Sequence, residues 1–441
     1  MTSQTAVTQG QKEFYRTLWR WHFYAGIFCI PFILTLSVSG AIYLFKPQID
    51  AWVDKPYHNI IPQGERALPN AQIDTALAAI PGAKFIGYTL PAKDTHAVVI
   101  TAMQKGRSFQ VYVDPYRLTV LNKTAVDDRF IHMVKTFHGE LLLGTFGSVL
   151  VELAACWAIV LVITGLYLWW PRKANGLAGV LYPRLRSNKR IFWRDLHAVV
   201  GIWISLFTLL LLFSGLPWSL VWGGALKEVR KLQAPVVQQD WTQGRKQEKV
   251  SWMPQASEGY NLTPTLLRTA QTLNLAPPVQ LSVASGTSNQ WKISSKSQNR
   301  MLRADVWVDG NSGEQLRSKT FDQGKPLDRL IGIGISVHEG QLFGWFNQLL
   351  GVLTALGLVA LACSGFIMWR RRAPDGVLGA PTHLPSDSLS KGVVLIVIAL
   401  ALFLPLLLAS LAALWLLEQV LFKHSEVLRQ WLGLKTAKPG V

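Results

Sequence analysis

The sequence contains a tandem repeat built around long apolar segments, and this repeat strongly restricts how the chain can fold. At the start of each unit a histidine and three small residues recur 175 positions apart: His22, Gly26, Ser39 and Gly40 match His197, Gly201, Ser214 and Gly215. At the end of each unit the separation is 200 positions, and the matches include Arg129 with Arg329, His138 with His338, and Gly165 with Gly365. Between these sets, Val111, Val113 and Asp114 recur 195 positions later as Val306, Val308 and Asp309. One unit is therefore a helix, a soluble segment and a second helix.

Five segments are apolar over the length of about 20 residues that a helix needs to cross about 30 Å of hydrocarbon. They are residues 22–45, 148–170, 198–218, 346–369 and 393–417. We expect the first to be retained rather than cleaved as a secretion signal, because its apolar core is long and its repeat partner lies in mid-chain. The sequence thus predicts an α-helical transmembrane bundle of about five spans. The repeat units are residues 14–170 and 195–372, and a tail follows at 418–441.

Basic residues in the short connections predict the orientation of the spans. Residues 171–194 contain seven basic residues and no acidic one, among them Arg172 and Lys173, and Arg370, Arg371 and Arg372 end the fourth span. Positive charge in short loops marks the cytoplasmic side. The N-terminus and the loops 171–194 and 370–391 are therefore expected inside, and the longer segments 46–137 and 223–337 outside, in the periplasm.

The composition excludes several classes of protein. The formal net charge is +18, but much of it lies in the inside-facing loops, and no basic and aromatic strip resembles a nucleic-acid surface. We therefore expect no nucleic-acid partner. Cys29, Cys156 and Cys363 all lie in predicted spans, so no disulfide framework is expected in the soluble segments. No Cys-x-x-Cys-His motif is present, so any haem is expected to be of b type, without a covalent link.

The two soluble segments are predicted to be small α+β modules with matching elements. Strand patterns occur at 89–90, 97–101 and 109–113, and again at 280–283, 290–293 and 304–308. Helical spacing precedes them at 70–80 and 263–274, where Thr263 is a typical N-cap followed by a first-turn proline. Asp114-Pro115 and Asp309-Gly310 predict a turn after the last of these strands in each module.

Four histidines at matched positions beside the spans are candidate ligands of haem iron. Imidazole pairs at membrane helices are the protein part of a bis-histidine haem site. Both units begin and end inside, so equivalent residues are expected at equal depth. This predicts that His22 pairs with His197 near the inner face and His138 with His338 near the outer face, for two haems. The alternative is four interfacial histidines that bind only backbone or water.

Other residues near these histidines have two interpretations each. Arg20 and Arg194, and Arg129 and Arg329, are predicted to bind haem propionates in bidentate fashion, and the alternatives are topology anchors for the first two and surface charges for the last two. The repeated glycines allow close approach either of the haem macrocycle or of a neighbouring helix. Glu152, inside the second span, either hydrogen-bonds a neighbour or takes part in proton or quinol chemistry. His132 is a rival of His138, but its repeat partner is Gly332, and His58, His96, His383 and His424 have no histidine partner and are expected at the surface.

A single straight helix from His138 to Trp169 would be longer than the membrane is thick. Trp169 lies 31 positions after His138, which is about 46 Å at 1.5 Å per residue and exceeds the hydrocarbon thickness. Glycines at 144 and 147, and at 340 and 344 in the second unit, predict a break between the histidine segment and the span.

The arrangement resembles the PepSY-associated transmembrane family. The resemblance is carried by WRWH and WRDLH before the first and third spans, by the modules with a Val-Asp turn, and by spans that end in Trp-Pro-Arg or Trp-Arg-Arg, and it covers residues 14–375. It implies a bacterial inner-membrane protein, often iron-regulated, and in some members a di-haem ferric-siderophore reductase. Larger relatives carry a flavin- and nicotinamide-binding domain. No Gly-x-Gly-x-x-Gly fingerprint occurs here, so the electron donor is expected to be another molecule, a cytoplasmic reductase or a quinol.

Two other functions remain open from the sequence. PepSY modules elsewhere accompany proteases, which allows a non-enzymatic sensor or inhibitory binding module. A siderophore permease is the second alternative, and it is expected to have charged or broken helices at mid-membrane. Histidines paired by depth favour the redox interpretation over both.

Overall fold

The computed structural model describes residues 2–171, 176–231, 259–284, 289–381 and 391–434. Arg172, Lys173 and His383 lie outside the described residues, as do parts of the predicted segments 223–337, 370–391 and 418–441. The chain forms two compact units. The membrane unit comprises Met1–Ala41, His138–Pro235 and Leu350–Val441, and the sheet unit comprises Ile42–Phe137 and Val236–Leu349.

The order of the elements follows the sequence repeat. The helices are α1 (Thr2–Leu44), α2 (Lys46–Val53), α3 (Pro69–Ala78), α4 (Phe130–Glu140), α5 (Gly144–Trp169), α6 (Lys189–Gly215), α7 (Val221–Lys231), α8 (Pro264–Thr272), α9 (Pro326–His338), α10 (Trp345–Arg372), α11 (Lys391–Phe403), α12 (Pro405–Leu417) and α13 (Glu426–Leu432). The strands are β1 (Lys84–Thr89), β2 (Val98–Gln104), β3 (Arg107–Asp114), β4 (Thr119–Ala125), β5 (Val279–Val283), β6 (Gln290–Ser295), β7 (Ala304–Asp309) and β8 (Gln315–Thr320).

Among the described residues, five helical segments are long and apolar enough to cross a membrane: Glu13–Leu44, Gly144–Trp169, Lys189–Trp218, Trp345–Arg372 and Pro405–Phe422. The first four confirm the predicted spans. The fifth, predicted at 393–417, is wrong in its bounds, because α11 ends at Phe403 and α12 begins at Pro405. Proline lacks the N–H for a helical hydrogen bond and clashes with the carbonyl four residues earlier, so a helix breaks there.

The predicted break between the histidine segments and the spans is present in both units. Helix α4 ends at Glu140 and α5 begins at Gly144, and Leu141, Leu142 and Gly144 have φ values of 51°, 59° and 59°. Helix α9 ends at His338 and α10 begins at Trp345, with φ values of 71° at Gly340 and 59° at Gly344. Left-handed backbone at these positions ends one helix and redirects the chain before the next begins.

The sheet unit contains one eight-stranded sheet with the strand order β4-β3-β2-β1-β5-β6-β7-β8. The two predicted modules share this sheet, since β1 and β5 pair antiparallel through Tyr88 with Leu281 and Thr89 with Gln280. Each half is an antiparallel meander, and the two central strands join the halves edge to edge. The outermost strands β4 and β8 carry mostly exposed side chains, which is why their sequences show no buried alternation.

One hydrophobic core is shared by both halves of the sheet. Alternate residues of β3 and β7, including Val111, Val113, Val306 and Val308, are buried together with apolar residues of α3 and α8. Thr263 caps α8 as predicted, because its side chain accepts a hydrogen bond from the Leu266 amide. Asp114 and Asp309 each accept hydrogen bonds from the amides two and three residues on, which confirms the two predicted turns.

Candidate functional site

His22 on α1 and His197 on α6 face each other in the membrane unit. Their ring centroids are 6.2 Å apart, and the ring planes are nearly perpendicular, at 88°. Helices α1 and α6 are equivalent elements of the repeat, so the pair forms where two copies of one helix meet. The structure therefore brings together the two histidines that the sequence predicted as the inner pair.

Each of these imidazoles is held through Nδ1 by a hydroxyl group on another span. His22 Nδ1 lies 3.0 Å from Thr164 Oγ1 on α5, and His197 Nδ1 lies 3.0 Å from Ser364 Oγ on α10. His197 Nδ1 is also 3.2 Å from the Leu361 carbonyl oxygen. Thr164 and Ser364 are 200 positions apart, so the second contact repeats the first. These hydrogen bonds leave Nε2 as the ring nitrogen available to a metal.

The glycine after each hydroxyl residue provides space for the imidazole. A Cβ atom on Gly165 would lie 3.2 Å from His22 Cε1, and one on Gly365 would lie 3.5 Å from His197 Cε1. Gly26 and Gly201 differ, because a Cβ atom there would meet Leu161 and Leu361 at ordinary contact distances of 3.9 and 3.7 Å. These four glycines thus divide into two that border histidines and two that support helix packing.

His138, at the end of α4, has the same kind of surroundings. Its Nδ1 is 3.0 Å from Ser39 Oγ on α1, and a Cβ atom on Gly40 would lie 3.1 Å from His138 Cε1. His138 belongs to the membrane unit, whereas His338, the last residue of α9, belongs to the sheet unit. The pairing of His138 with His338 stays a prediction.

Three other described histidines have different environments. His132 Nε2 is 3.3 Å from Asp127 Oδ1, with both side chains partly exposed. His58 and His96 stack in the sheet unit, with ring centroids 4.1 Å apart and planes 11° from parallel. Burial lowers the pKa of His96, and the neighbouring His58 and Lys93 lower it further. These contacts with a carboxylate and with a second ring differ from the hydroxyl and glycine contacts of His22.

The four predicted propionate arginines have other contacts. Arg129 Nη2 lies 3.0 Å from Asp50 Oδ1 and 3.1 Å from Asp54 Oδ1, and Arg129 Nη1 also donates to Gln110 and Tyr112. Burial acts to lower the pKa of Arg129, but Tyr112 and the two carboxylates outweigh it and raise that pKa. Arg129 is thus part of a partly buried ionic cluster in the sheet unit, and we do not assign it to haem.

The other three arginines also have protein partners. Arg20 donates to the carbonyl oxygens of Pro381 and Gly433 and to the Tyr24 hydroxyl. Residues two apart on a helix project about 200° from each other, so Arg20 and His22 face opposite sides of α1. Arg194 binds the buried Asp195 at 2.6 Å, and Arg184 binds the second oxygen of that carboxylate, also at 2.6 Å. Arg329 is partly exposed and lies 3.6 Å from Asp322.

Glu152 has a structural role in the membrane unit. Its two carboxylate oxygens each accept a hydrogen bond of 2.8 Å, one from the Val221 amide and one from the Trp222 amide. These amides open α7 and have no partner within that helix, and a carboxylate at a helix N-terminus is electrostatically favourable. Of the two predicted interpretations, hydrogen bonding to a neighbour accounts for the contacts of Glu152.

The sequence interpretation did not include Thr164 and Ser364. The signal that would have found them is the same separation of 200 positions that relates Gly165 to Gly365, with a hydroxyl residue immediately before each glycine. Within the described residues, no group of three or more His, Cys, Asp or Glu side chains is arranged to hold a metal ion. A metal bound by His22 and His197 would therefore have to bring most of its own ligands.

Comparison with known proteins gives one family. The family model described as the PepSY-associated TM region matches residues 19–372, which contain all four repeated histidines and both halves of the sheet. The comparison with curated proteins gives no match.

Proposed function

The chain belongs to the PepSY-associated transmembrane family, and we propose that it is a membrane oxidoreductase that binds b-type haem and reduces a ferric chelate. The observation that carries the proposal is the perpendicular pair of His22 and His197 inside the membrane unit. Ionisable side chains at membrane depth are costly and typically serve function. Two of them that face each other on equivalent helices support a shared ligand.

The geometry of the pair fits a haem. With metal–nitrogen bonds of about 2 Å, two imidazoles on opposite sides of one metal ion have ring centroids about 6 Å apart. The measured separation is 6.2 Å. Since His22 and His197 supply two ligands at most, the other four positions of an octahedral ion need a donor set such as the porphyrin nitrogens. A zinc or iron–sulfur site would need more protein ligands.

The residues of this chain have distinct tasks in such a site. When bound, a b-type haem supplies a one-electron ferric/ferrous couple. His22 and His197 would hold its iron through Nε2, Thr164 and Ser364 hold the rings, and Gly165 and Gly365 leave room for them. His138, which Ser39 holds in the same way, is the candidate ligand of a second haem.

The proposed substrate is a ferric siderophore or another ferric chelate in the periplasm of a bacterium with an inner membrane. One electron converts the bound ferric ion to ferrous, and the larger, softer ferrous ion is held less tightly by the oxygen ligands of such chelators. The proposed electron donor is a cytoplasmic reductase or a membrane quinol. The sheet unit, predicted outside, is the proposed docking side.

Haem content tests the first half of the proposal. A pyridine haemochrome assay on detergent-purified protein from haem-replete cells is expected to give at least one b-type haem per chain. His197→Ala is expected to remove one haem, because the alanine supplies no nitrogen ligand to the iron. His132→Ala is the matched control and is expected to retain the wild-type content, since His132 contacts Asp127. Wild-type protein without haem would refute the proposal.

Reoxidation of the reduced protein tests the second half. The protein is first reduced with dithionite. Mixing with a ferric siderophore is then expected to restore the absorption spectrum of the oxidised haem. Haem-loaded protein that no ferric chelate reoxidises would contradict the reductase and favour a sensor or inhibitory module. Siderophore uptake into proteoliposomes without reoxidation would favour a permease. A deletion strain grown on single siderophores would then identify the chelate.

A further inference from the structure

We infer that Thr164, Ser364 and Ser39 are positioning residues that fix the tautomer of His22, His197 and His138, so that the proton of each ring is on Nδ1 and the lone pair is on Nε2. The inference rests on the proposed function, because it concerns how the chain presents these imidazoles to iron. It adds a residue class that neither the repeated histidines nor the family match identifies.

The hydrogen bonds of Thr164 leave one assignment for His22. Thr164 Oγ1 lies 2.7 Å from the Val160 carbonyl oxygen, four residues earlier on α5. The hydroxyl has one hydrogen, and its shortest contact is with this carbonyl, which can only accept, so we assign the hydroxyl hydrogen of Thr164 to Val160. The hydroxyl oxygen is then the acceptor in its 3.0 Å contact with His22 Nδ1. Nδ1 of His22 therefore carries the proton, and Nε2 has the lone pair.

His197 has the same assignment from two independent contacts. Ser364 Oγ donates to the Ala360 carbonyl at 2.6 Å, and its oxygen accepts from His197 Nδ1 at 3.0 Å. The Leu361 carbonyl oxygen, 3.2 Å from the same nitrogen, has no hydrogen to give. Both partners of His197 Nδ1 are acceptors, so this nitrogen is the donor.

His138 repeats the arrangement on a different pair of helices. Ser39 Oγ donates to the Thr35 carbonyl at 2.8 Å, and its oxygen accepts from His138 Nδ1 at 3.0 Å. Three histidines on three helices thus each meet a hydroxyl that is already bonded to the carbonyl four residues earlier. Serine and threonine in helices commonly donate to the carbonyl four residues earlier, which explains the hydroxyl-to-carbonyl hydrogen bond in each case. It does not explain why each hydroxyl also contacts an imidazole.

The consequence is a metal ligand that is oriented before the metal binds. A histidine ligand normally donates its other ring N–H to an oxygen, which fixes the ring and raises its basicity, and loss of that partner typically weakens metal binding by about 10-fold to 100-fold. The hydroxyls are themselves held by backbone carbonyls, so the ring orientation is set by the helices α5, α10 and α1.

Substitution of the hydroxyls in the full-length protein tests the inference. Thr164→Val keeps the shape and removes the hydroxyl, and Ser364→Ala removes the other. Each is expected to weaken haem retention by about tenfold or more and to shift the midpoint potential of one haem. Thr164→Ser and Ser364→Thr retain the hydroxyl and are expected to restore both values. Ser205→Ala is the matched control, because Ser205 is buried on α6 and donates to the Gly201 carbonyl of its own helix.

A measurement on the haem-free protein separates this inference from the proposed function. Imidazole ¹⁵N spectra of histidine-labelled apoprotein are expected to show the Nδ1–H tautomer for His22 and His197, and Thr164→Val is expected to release the His22 signal to a mixture. If the wild type binds haem, and Thr164→Val and Ser364→Ala retain haem as well as the Ser205→Ala control does, the inference is overturned while the proposed function stands. Wild type without haem overturns the function, and an Nε2–H tautomer in the apoprotein overturns the inference.

Discussion

The two repeat units are alike around the membrane histidines and unlike at the arginines that precede the outer histidines. His22 and His197 have matched hydroxyl and glycine neighbours, with both Nδ1 contacts at 3.0 Å. Arg129 and Arg329 also occupy matched positions, but Arg129 is buried between two aspartates, whereas Arg329 is exposed and 3.6 Å from a single one.

The difference shows that a repeated residue keeps its role only where its contacts are repeated. Both partners of the histidine contacts, Thr164 and Ser364, lie inside the repeat. The partners of Arg129, Asp50 and Asp54, lie on α2 or directly after it, and the positions 175 further on are occupied by Ala225 and Val229 rather than by aspartates. The arginine at this repeat position therefore forms partly buried ion pairs in the first unit, as Arg129, and is a surface charge in the second, as Arg329.

The largest effect that tests this comparison is expected at Arg129. Arg129→Ala removes the cation shared by two partly buried carboxylates, of which Asp50 keeps its ion pair with Lys46 and Asp54 loses its arginine partner. Loss of one partner from a buried ion pair costs about 3 kcal/mol. Arg329→Ala removes an exposed pair and is expected to cost about 0.5 kcal/mol or less. Urea-induced unfolding of both variants in detergent would measure the free energy difference. Equal destabilisation would show that the two arginines have the same role.

A smaller effect is expected at the glycines beside the histidines. Gly165→Ala places a methyl group 3.2 Å from His22 Cε1, so the ring must shift by a few tenths of an ångström. Overpacking of this kind costs on the order of 1 kcal/mol, and we expect several-fold weaker haem retention. Gly365→Ala, at 3.5 Å, is expected to be milder, and Gly26→Ala, at 3.9 Å, to equal the wild type. A different order in haem titrations would contradict the assigned contacts.

The smallest effect concerns the turn after β7. The amides of Ser312 and Asn311 donate to Asp309 and lower the pKa of its carboxyl group below 3.8. A carboxyl group whose pKa is lowered in the folded state stabilises the fold above its unfolded pKa, and this contribution is lost as the pH falls through the folded value. The difference in thermal midpoint between wild type and Asp309→Asn is therefore expected to shrink below about pH 4. A constant difference from about pH 7 to about pH 3 would refute this.

Much of the membrane unit was predictable from the sequence, because spans and repeated histidines are signals of length and spacing. The His22 and His197 contact followed from symmetry and equal depth. Thr164 and Ser364 did not stand out, since a lone hydroxyl in a span commonly bonds the carbonyl four residues earlier. The roles of Arg20 and Arg129 also required the folded chain, because their partners lie far away in sequence, at Pro381 and Gly433 and at Asp50 and Asp54.

The sheet was predictable in its parts but not in its continuity. The alternation of Val111 with Val113 and of Val306 with Val308 predicted β3 and β7. Strands β4 and β8 were missed because few of their side chains are buried. The pairing of β1 with β5 depends on two residue pairs between segments about 190 residues apart, and no local pattern encodes a contact of that range.

The continuity of the sheet also restricts how many times the chain can cross the membrane between the two half-sheets. Hydrogen-bonded strands such as β1 and β5 must occupy the same aqueous compartment, and the chain between β4 and β5 passes through α5 and α6. The number of crossings between the two half-sheets is therefore even. Loss or gain of a single span there would leave the half-sheets on opposite sides of the bilayer, with β1 and β5 as unpaired edges. Changes in span number between the two half-sheets therefore preserve the sheet only when they come in pairs.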